Sequence, residues 1–432
     1  MRIVFTTWGS LGDLHPYMAL ALELQRRGHD AAIATLGAYR TNVERAGLGF
    51  HPLRPDVAPD DPNARELVRR VLDARDGPRH LMLDVFAPVI DQTYEDTLAA
   101  VKADGGADLF VSHQVPLTGP VVAQITGVRW VSAVLLPMAF LSEHDPPTPP
   151  QVPGLRKIAA LHPIFAKALS RIGRRVSSPW VAPVYALRER LGLPRGGNPV
   201  FEGQHSPSLV LGLFSRLLSE KLPDFPPQTL VTGFTFYDAG DQQPVPRELL
   251  QFLDAGEPPI LFTLGSSAVW IAEDFYQTAI AAAKAMGRRA LLLAGEQAAA
   301  LRDAGLPDSI AAFDYAPHSV VMPRASVIVH QGGVGTTGQA LRAGRPMLIV
   351  PFGQDQPDNA RRCVRLGVAR TIARKAFTQA RVIGELTTLL SGLSYPTRAA
   401  SVGDQVRAER GTVVACDALE RQMSKGRQVR RA

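Results

Sequence analysis

The sequence has little cysteine and no long hydrophobic run. Its 432 residues include only two cysteines, Cys363 and Cys416, which excludes a small fold held together by disulfide bonds. Two cysteines suit a reducing compartment, and we expect both thiols to be buried apolar filler. No stretch of about 18 apolar residues occurs, which argues against a transmembrane helix. The chain opens with Met1 and Arg2 directly before an apolar strand rather than with a signal peptide, so we predict a cytoplasmic protein.

The excess of positive charge is small. Lysines and arginines number 47 against 40 aspartates and glutamates, which gives a formal net charge of +7 and a pI near 9.6. The arginines are scattered through predicted helices, and the densest basic run is the tail at residues 425–431, a kind of segment that is usually solvated. We therefore expect no nucleic-acid partner and at most a weak, peripheral attraction to the anionic inner face of a membrane.

Strand and helix patterns alternate twice along the chain. A strand at residues 2–7 opens the first series, and a strand at residues 260–263 opens the second. Residues 237–247 between them have few apolar side chains and several Gly, Asp, Gln and Pro residues, which indicates a linker. The pattern predicts an α/β fold with two doubly wound domains, residues 1–236 and 248–394, each built on a parallel sheet.

Three local predictions complete this outline. Residues 64–103 have a helical pattern that is interrupted at Gly77 and Pro78. Residues 265–267 are predicted to form a turn after the first strand of the second domain. Residues 395–423 are predicted to form one long helix.

The stretch at residues 327–359 predicts a strand, a glycine-rich turn, a helix and a second strand. An apolar, β-branched run at residues 327–329 ends at His330, and glycines and threonines follow as far as Thr337. A turn of this kind presents backbone N–H groups and the positive end of a helix dipole to an anion, usually a phosphate. The stretch therefore predicts a phosphate-binding site.

The same turn contains the dinucleotide fingerprint G-x-G-x-x-G at Gly333, Gly335 and Gly338, with Asp355 about 20 residues further on. That fingerprint usually opens its domain, whereas this match lies late in the chain. It also does not explain His330 or the polar residues that follow the next strand. A dinucleotide oxidoreductase is therefore the weakest of the functions we consider.

Those additional residues resemble the donor-binding signature of the nucleotide-sugar glycosyltransferases. The signature reads His-x-Gly-Gly-x-Gly-Thr from His330 and Pro-x-x-x-Asp-Gln-x-x-Asn from Pro351. This superfamily includes UDP-glucuronosyltransferases, sterol glucosyltransferases and antibiotic glycosyltransferases, and the chain looks similar to a bacterial branch that contains the rhamnolipid rhamnosyltransferases. The likeness extends from a G-S-x-G-D loop that begins at Gly9 to a Leu-Gly pair at Leu366.

The resemblance implies the GT-B fold, in which two Rossmann-like domains face each other across a cleft, and a C-terminal helix within residues 395–432 crosses back to the first domain. It implies an inverting, metal-independent hexosyltransferase. The co-substrate would be a nucleoside diphosphate sugar of the UDP-glucose, UDP-rhamnose or dTDP-rhamnose type, with no other cofactor. The acceptor would be a hydroxyl of a hydrophobic phenolic, lipid, sterol or polyketide, and the protein a monomer or homodimer.

On the acceptor side the resemblance assigns the general base to Asp13. An ordinary Asp, with a pKa of about 3.9, is a weak base, and a helix N-terminus should lower that pKa further. Either the acceptor is itself acidic, or a histidine transfers the proton while Asp13 orients it. His113 is the candidate for such an exchanged pair, because it ends the strand on which His-type relatives place the supporting Asp. His15, two residues after Asp13, is a third candidate.

Five apolar residues are expected to line the acceptor pocket. Each of them, considered alone, could equally well be an ordinary residue of the hydrophobic core. They are Trp8, Phe86, Met138, Phe140 and Trp180.

On the donor side, the resemblance assigns one set of residues to the diphosphate, and a ring N–H of His330 belongs to that set. The diphosphate set comprises Gly265, Ser266, Ser267, His330, Gly332, Gly333, Gly335, Thr336 and Asn359, and Gly12 is expected to contribute to donor binding as well. Tyr315 or Phe313 is expected near the base, and His318 near the ribose or the base edge. Asp355 and Gln356 are expected to hold sugar hydroxyls, because a carboxylate accepts and an amide both donates and accepts.

Metal-binding motifs are absent from the sequence. There is no D-x-D triplet, the motif by which another transferase architecture holds a metal on the diphosphate, and no His/Cys cluster at metal spacing. We therefore expect helix dipoles and His330 to take the role of the cation.

Two other functions remain open beside the transferase. A sugar-nucleotide epimerase or hydrolase would share the architecture but would not need an apolar acceptor pocket. A non-catalytic nucleotide-sugar or lipid-binding protein would be expected to have lost Asp13 or the donor signature, and both are intact. The acceptor, the donor base (uridine or deoxythymidine) and the sugar are not determined by these residues.

Overall fold

The computed structural model describes residues 1–57, 63–149, 151–152, 154–238, 245–392 and 394–429. Most of the predicted linker at residues 237–247 lies outside the described residues, as do the end of the basic tail and parts of two proline-rich loops. The chain divides into two compact units. The first comprises Met1–Val71, Arg75–Tyr237 and the residues from Glu409 on, and the second comprises Leu72–Ala74 and Asp238–Ala408.

The first unit is built on a parallel sheet with the strand order β3-β2-β1-β4-β5-β6-β7. Strands such as β1 and β4 are buried along their whole length, as expected of a parallel sheet that is covered on both faces. Its described strands are β1 (Arg2–Thr6), β2 (Asp30–Thr35), β3 (Gly49–Pro52), β4 (Leu109–His113), β5 (Trp130–Val134), β6 (Val210–Gly212) and β7 (Thr229–Val231).

The helices of the first unit follow the strands in alternation, with one late addition from the end of the chain. A π-helical segment, Leu81–Phe86, precedes the fifth of them. They are α1 (Leu11–Arg26), α2 (Arg40–Arg45), α3 (Ala64–Val71), α4 (Gly77–His80), α5 (Ile90–Lys102), α6 (Gly119–Thr126), α7 (Leu155–Ala159), α8 (Pro163–Ser177), α9 (Ala182–Arg190) and α19 (Gly411–Val429).

The second unit repeats the plan with a parallel sheet in the order β10-β9-β8-β11-β12-β13. Its described strands are β8 (Ile260–Thr263), β9 (Ala290–Leu293), β10 (Ile310–Phe313), β11 (Val327–His330), β12 (Met347–Ile349) and β13 (Ala369–Thr371). Its helices are α10 (Arg247–Asp254), α11 (Gly265–Ala268), α12 (Phe275–Ala285), α13 (Gln297–Asp303), α14 (His318–Val321), α15 (Val334–Ala343), α16 (Gln356–Arg365), α17 (Gln379–Ser391) and α18 (Ser394–Ala408). The two doubly wound sheets confirm the predicted fold class.

Three local predictions were wrong. Residues 265–267 are not a simple turn but the start of the short helix α11. The helical stretch at residues 64–103 is broken further than the Gly77–Pro78 signal indicated, because a π-helical segment separates α4 from α5. The predicted helix at residues 395–423 is two helices, since Arg410 has a φ of +52° and the next helix begins at Gly411.

The break at Arg410 returns the chain to the first unit. Helix α19 packs on α1, and its inward side chains Ala415, Cys416, Leu419 and Met423 are buried. Arg27, next to the end of α1, forms ion pairs of 2.6 Å with Asp417 and 2.8 Å with Glu420. Both cysteines are buried free thiols, and burial raises the pKa of each to about 12. Over the described part of the chain, every helix is too short or too polar to cross a membrane.

Candidate active site

In each sheet, successive strands are first added towards one edge and then towards the other. The predicted site residues of each unit lie at this reversal point. In the first sheet this switch lies between β1 and β4, and in the second between β8 and β11. Crevices at the carboxyl ends of strands at such a switch are the usual ligand sites of open α/β sheets. Asp13 follows β1 and His113 ends β4, while Gly265 follows β8 and Gly332 follows β11. The fold therefore brings the predicted residues of each unit to one place within that unit.

Asp13 lies in the first turn of α1, where its carboxylate forms a capping box with Ser10. Asp13 Oδ2 accepts hydrogen bonds of 2.8 Å from the Ser10 backbone N–H and 3.0 Å from the Ser10 hydroxyl. The Ser10 Oγ atom in turn accepts a hydrogen bond from the Gly12 N–H at 3.2 Å. Among the described residues, the Oδ1 atom of Asp13 has no hydrogen-bond partner and is not buried. That oxygen is the one available to a ligand.

Burial makes Asp13 a better base than its sequence position suggests. Removal from water raises the pKa of this carboxyl to about 6, against the opposing effect of the two hydrogen bonds from Ser10. The expectation that the helix N-terminus lowers this pKa is therefore wrong, because desolvation outweighs the polar contacts. A carboxylate with a pKa near 6 is ionised at neutral pH and still able to take a proton, as catalytic carboxylates commonly are.

A glycine keeps space for the Asp13 carboxylate. Gly9 has a φ of +137°, and a Cβ atom added there would lie 2.4 Å from Asp13 Oδ2. The Gly9 carbonyl oxygen accepts a hydrogen bond of 3.1 Å from the hydroxyl of Tyr39. The first glycine of the G-S-x-G-D loop is thus required both by its backbone conformation and by the position of the carboxylate.

His113 is buried at the end of β4 and does not form the predicted direct pair with Asp13. Its ring hydrogen-bonds the backbone of Trp8, and burial lowers the pKa of this histidine to about 4. Its Nδ1 atom is buried and has no hydrogen-bond partner in the described residues. The rings of His113 and Tyr17 lie 5.9 Å apart. A neutral histidine with so low a pKa is a weaker base than a carboxylate with a pKa near 6, so the assignment of the base to Asp13 stays the prediction.

The other acceptor-side candidates lie at separate places in the first unit. The ring of His15 lies 5.1 Å from that of Tyr237. Trp8 contacts Phe86 edge to face at a ring-centroid distance of 4.8 Å, and Phe86 and Trp180 line one apolar cavity of about 10 Å³, which is about the size of one water. Three of the five predicted lining residues thus lie near one another.

Phe140 lies elsewhere, stacked on Phe225 at a centroid distance of 4.0 Å and on His205 at 5.2 Å. Its environment is that of an aromatic core cluster. Met138, two residues earlier in the same short 3₁₀ turn, is half-buried.

In the second unit, the turns after β8 and β11 touch through Gln331. A Cβ atom at Gly265 would lie 2.5 Å from Gln331 Nε2 and 3.2 Å from Thr336 Oγ1. A Cβ atom at Gly333 would lie 2.9 Å from the same Nε2 atom. The Oε1 atom of Gln331 is buried without a described partner. Sequence reasoning missed Gln331, although its place between His330 and Gly332 inside the signature could have indicated it.

His330 is buried and fixes the turn instead of carrying a positive charge. Its Nδ1 atom accepts a hydrogen bond of 3.1 Å from the Gly332 N–H, and Nε2 lies 3.4 Å from the Met347 sulfur. Burial, together with the charge of His318, lowers the pKa of His330 to about 3. The imidazole is therefore neutral in this structure, and its role in place of a cation at the diphosphate stays a prediction. Both ring nitrogens have a partner within the fold.

Asp355 and Asn359 tie the end of β12 to the glycine turn. Asp355 Oδ2 accepts a hydrogen bond of 3.2 Å from the Val334 N–H, in the first turn of α15, and one of 2.7 Å from Asn359 Nδ2. The same Nδ2 group donates to the Gly332 carbonyl at 2.9 Å. The Oδ1 atom of Asn359 is buried and has no partner in the described structure. These contacts hold Gly332 between His330 and Asn359.

Gln356 uses its acceptor within its own turn. Its Oε1 atom accepts hydrogen bonds of 2.7 Å from the Phe352 N–H and 3.3 Å from the Gly353 N–H. The amide NH₂ group is left as the part of Gln356 that can bind a ligand. Gln356 was expected both to donate hydrogen bonds to sugar hydroxyls and to accept them. With its oxygen already bonded to the backbone, we expect it only to donate.

The remaining donor-side candidates lie on short elements around these turns. Ser266 and Ser267 lie in the first turn of α11, and His318 begins α14. Tyr315 is 44% exposed. Gly335 and Thr336 lie in the first turn of α15, whose N-terminal N–H groups face the turn.

Among the described residues, no group of three or more His, Cys, Asp or Glu side chains could hold a metal ion. Metal-independent transfer stays a prediction.

Two family models match the sequence. The glycosyltransferase family 28 N-terminal domain matches residues 3–80, and the erythromycin biosynthesis protein CIII-like C-terminal domain matches residues 290–416. O-mycaminosyltylonolide 6-deoxyallosyltransferase of Streptomyces fradiae is 33% identical over 428 residues, which cover 97% of each protein. The matched region thus includes both sheets and both site regions.

Solved structures show the same fold. The glycosyltransferase of kitacinnamycin superposes with a TM-score of 0.73 at 22% identity and covers 98% of this chain and 99% of its own. The glycosyltransferase VinC, solved in complex with dTDP, has a TM-score of 0.68 at 20% identity and covers 98% of this chain and 100% of its own.

Proposed function

The chain belongs to the superfamily of nucleotide-sugar glycosyltransferases that includes the antibiotic glycosyltransferases, and from that premise we propose that it transfers a 6-deoxyhexose from a dTDP-sugar to a hydroxyl of an apolar natural product. The transfer inverts the configuration of the anomeric carbon. Asp13 is the general base, and the glycine turn at Gly332 binds the diphosphate.

The observation that carries this proposal is the environment of the Asp13 carboxylate. One oxygen is held by Ser10, the other has no described partner, and burial raises the pKa of the group to about 6. A carboxylate in this state accepts the proton of a hydroxyl as that hydroxyl becomes a nucleophile. Gly9 leaves space for Oδ2, the oxygen held by Ser10, and so allows the carboxylate to keep this orientation.

The proposed reaction has one displacement step. The acceptor oxygen forms a bond to the anomeric carbon while the bond from that carbon to the diphosphate oxygen breaks, and the hydroxyl proton passes to Asp13 Oδ1. The nucleoside diphosphate leaves as an anion. Backbone N–H groups at the start of α15 and the adjoining turn stabilise its charge, and losing one such donor typically costs about 2–4 kcal/mol. No covalent enzyme intermediate is needed.

The donor is proposed from the relatives and from the sugar-binding residues. The S. fradiae relative is named as a 6-deoxyallosyltransferase, and VinC was solved with dTDP. Asp355 Oδ2 and Gln356 Oε1 already accept hydrogen bonds from the backbone, which lessens the acceptor capacity offered to sugar hydroxyls. A sugar with fewer hydroxyls than glucose suits this arrangement. UDP-glucose is the alternative donor.

Calorimetry in the presence of a chelator tests the donor. We expect dTDP and dTDP-rhamnose to bind at least about tenfold more tightly than UDP and UDP-glucose, a difference of about 1.4 kcal/mol. Equal or reversed affinities would contradict the proposed base, and no binding of any of the four would contradict the donor site itself.

Release of dTDP distinguishes a transferase from a hydrolase or epimerase. With a panel of hydroxyl-bearing polyketides, phenolics and sterols, we expect dTDP release to require an acceptor and to be matched by a product heavier by one sugar residue. Release at the same rate without any acceptor would favour the hydrolase. A change of the sugar without release would favour the epimerase.

The pH dependence of the reaction follows from the raised pKa of Asp13. The base must be ionised to accept a proton, so kcat/KM should fall about tenfold per pH unit below a pH of about 6 and level off above it. The measurement is kcat/KM against pH with an acceptor that does not titrate between pH 4 and 9. A flat profile through pH 6 would mean that Asp13 is not the group that takes the proton.

A further inference from the structure

Helices α7 and α8 of the first unit, with the residues that join them, have an unusually apolar outer surface. We call residues 154–177 the basic hairpin. Ten large hydrophobic side chains are markedly exposed in the described part of the chain, and six of them belong to this segment, with exposed fractions from 45% to 74%. They are Ile158, Leu161, Ile164, Phe165, Ile172 and Val176. Single exposed hydrophobic residues need no explanation, but such a concentration marks an interaction surface.

The solvent side of α8 divides into two neighbouring stripes. The apolar stripe consists of Phe165, Ile172 and Val176. The basic stripe consists of Lys167, Arg171 and Arg174, with Arg175 at the border between the two. Spacings of three, four and seven residues place the members of each stripe on one side of the helix. The third side packs on the unit through Ala166 and Ser177, both of which are buried.

The positive charge of the chain is concentrated in the same segment. Residues 146–187 contain six lysines and arginines and no aspartate or glutamate. This segment alone has a formal charge of +6, whereas the whole chain has a formal net charge of +7. The expectation that the basic residues are scattered is therefore wrong for this region. Sequence reasoning overlooked it because the density of basic residues is moderate, and the lack of acidic ones creates the imbalance.

Most of these charges are not neutralised within the fold. Arg156 lies 3.6 Å from Asp145, and Arg174 lies 3.3 Å from Glu202. The other four are exposed and make no ion pair with any described residue: Lys157, Lys167, Arg171 and Arg175. A helix with an apolar stripe beside a basic one is typical of elements that lie in the interface of an anionic bilayer.

We propose that the basic hairpin binds the surface of an anionic lipid membrane. The apolar stripe of α8 enters the headgroup region, and the basic stripe contacts lipid phosphates. The charge pattern favours lipid over a second copy of the chain, because a two-fold interface through this surface would place its positive charges against each other. Two short helices give reversible attachment and not a permanent anchor. The proposal is independent of the proposed reaction, since it depends only on this surface.

Flotation of the full chain with lipid vesicles tests the proposal. We expect binding to vesicles of equal parts phosphatidylglycerol and phosphatidylcholine, little binding to pure phosphatidylcholine, and weaker binding at high salt. The charge variant Lys167→Glu/Arg171→Glu should lower the partition coefficient by about tenfold or more. The apolar variant Phe165→Ser/Ile172→Ser should lower it by a similar factor.

Matched controls separate this surface from general charge and hydrophobicity. Lys102→Glu/Lys284→Glu changes the net charge by the same amount at exposed lysines of α5 and α12. Ile125→Ser/Val364→Ser removes two hydrophobic side chains that are 40% and 44% exposed elsewhere. Both controls should bind vesicles like the unchanged chain. Since all eight side chains are exposed, thermal unfolding should show that every variant is folded.

Three results would overturn the proposal. The first is no flotation with anionic vesicles, and the second is equal loss of binding in the hairpin variants and their controls. The third is a combined result in which the chain does not bind vesicles but forms a dimer in sedimentation equilibrium, and Phe165→Ser/Ile172→Ser abolishes that dimer. That last result would assign the surface to self-association.

Discussion

Asp13→Asn is expected to lower kcat about a thousandfold, the middle of the range for loss of a general base and equivalent to about 4 kcal/mol of barrier. The amide cannot take the acceptor proton, but its oxygen can still accept the 2.8 Å hydrogen bond from the Ser10 N–H. Helix α1 should therefore stay capped, with a loss of stability of at most about 1 kcal/mol. The measurements are initial rates of sugar transfer and calorimetric binding of dTDP. Binding should be unchanged because the substitution leaves the glycine turn at Gly332 in the second unit intact.

Two companion variants identify the cause of the loss. Asp30→Asn makes the same change at an exposed position at the start of β2 and should leave the rate as it was. Ser10→Ala removes a hydrogen bond that holds the pKa of Asp13 down, so the acid limb of the rate profile should move to higher pH. If Asp13→Asn kept most of its activity, the base would be another group, and His113 would be examined next.

Gly332→Ala is expected to weaken nucleoside diphosphate binding by at least about tenfold. Gly332 has a φ of +93°, and an added Cβ atom would lie 2.8 Å from Ile349 Cγ2 and 3.1 Å from the Gln356 carbonyl oxygen. The left-handed backbone alone costs about 1–2 kcal/mol for a residue with a side chain. The contact with backbone cannot be relieved by a rotamer change, so the turn must shift and the N–H groups beside it move with it. Calorimetry with dTDP measures the effect.

Gly305→Ala is the matched control for backbone strain. Gly305 also lies in the second unit with a φ of +81°, but nothing lies within 4 Å of its added Cβ atom. Both variants should lower the unfolding temperature, whereas only Gly332→Ala should lose affinity for dTDP. Equal affinities in the two variants would mean that the turn after β11 does not form the diphosphate site.

The sequence predicted the two sheets because their central strands are continuous apolar runs between helical patterns. Residues 327–330 are an example, since β11 is buried at every position. Asp13 and Gly332 were predicted from spaced motifs, and the fold places each at the switch point of its own sheet. Such motifs are local in sequence, so they identify residues without knowledge of tertiary packing.

The electrostatic state of those residues could not be predicted in the same way. The pKa of Asp13 depends on how far the loop is withdrawn from water, and that depends on the whole unit. His330 is neutral because it is buried within the second unit and lies near the charge of His318, which together lower its pKa. The exposure of the basic hairpin likewise depends on which side of α8 meets the rest of the unit. Each of these outcomes is set by residues distant in sequence.

The return of α19 to the first unit affects how that unit folds during synthesis. Cys416 and Leu419 complete the core beside α1, yet they are translated only after residues 238–408. During translation from the N-terminus, the first unit therefore has its sheet but lacks one of its covering helices, and apolar surface on α1 stays open to solvent or chaperones. The unit that contains Asp13 begins its synthesis first and is finished last.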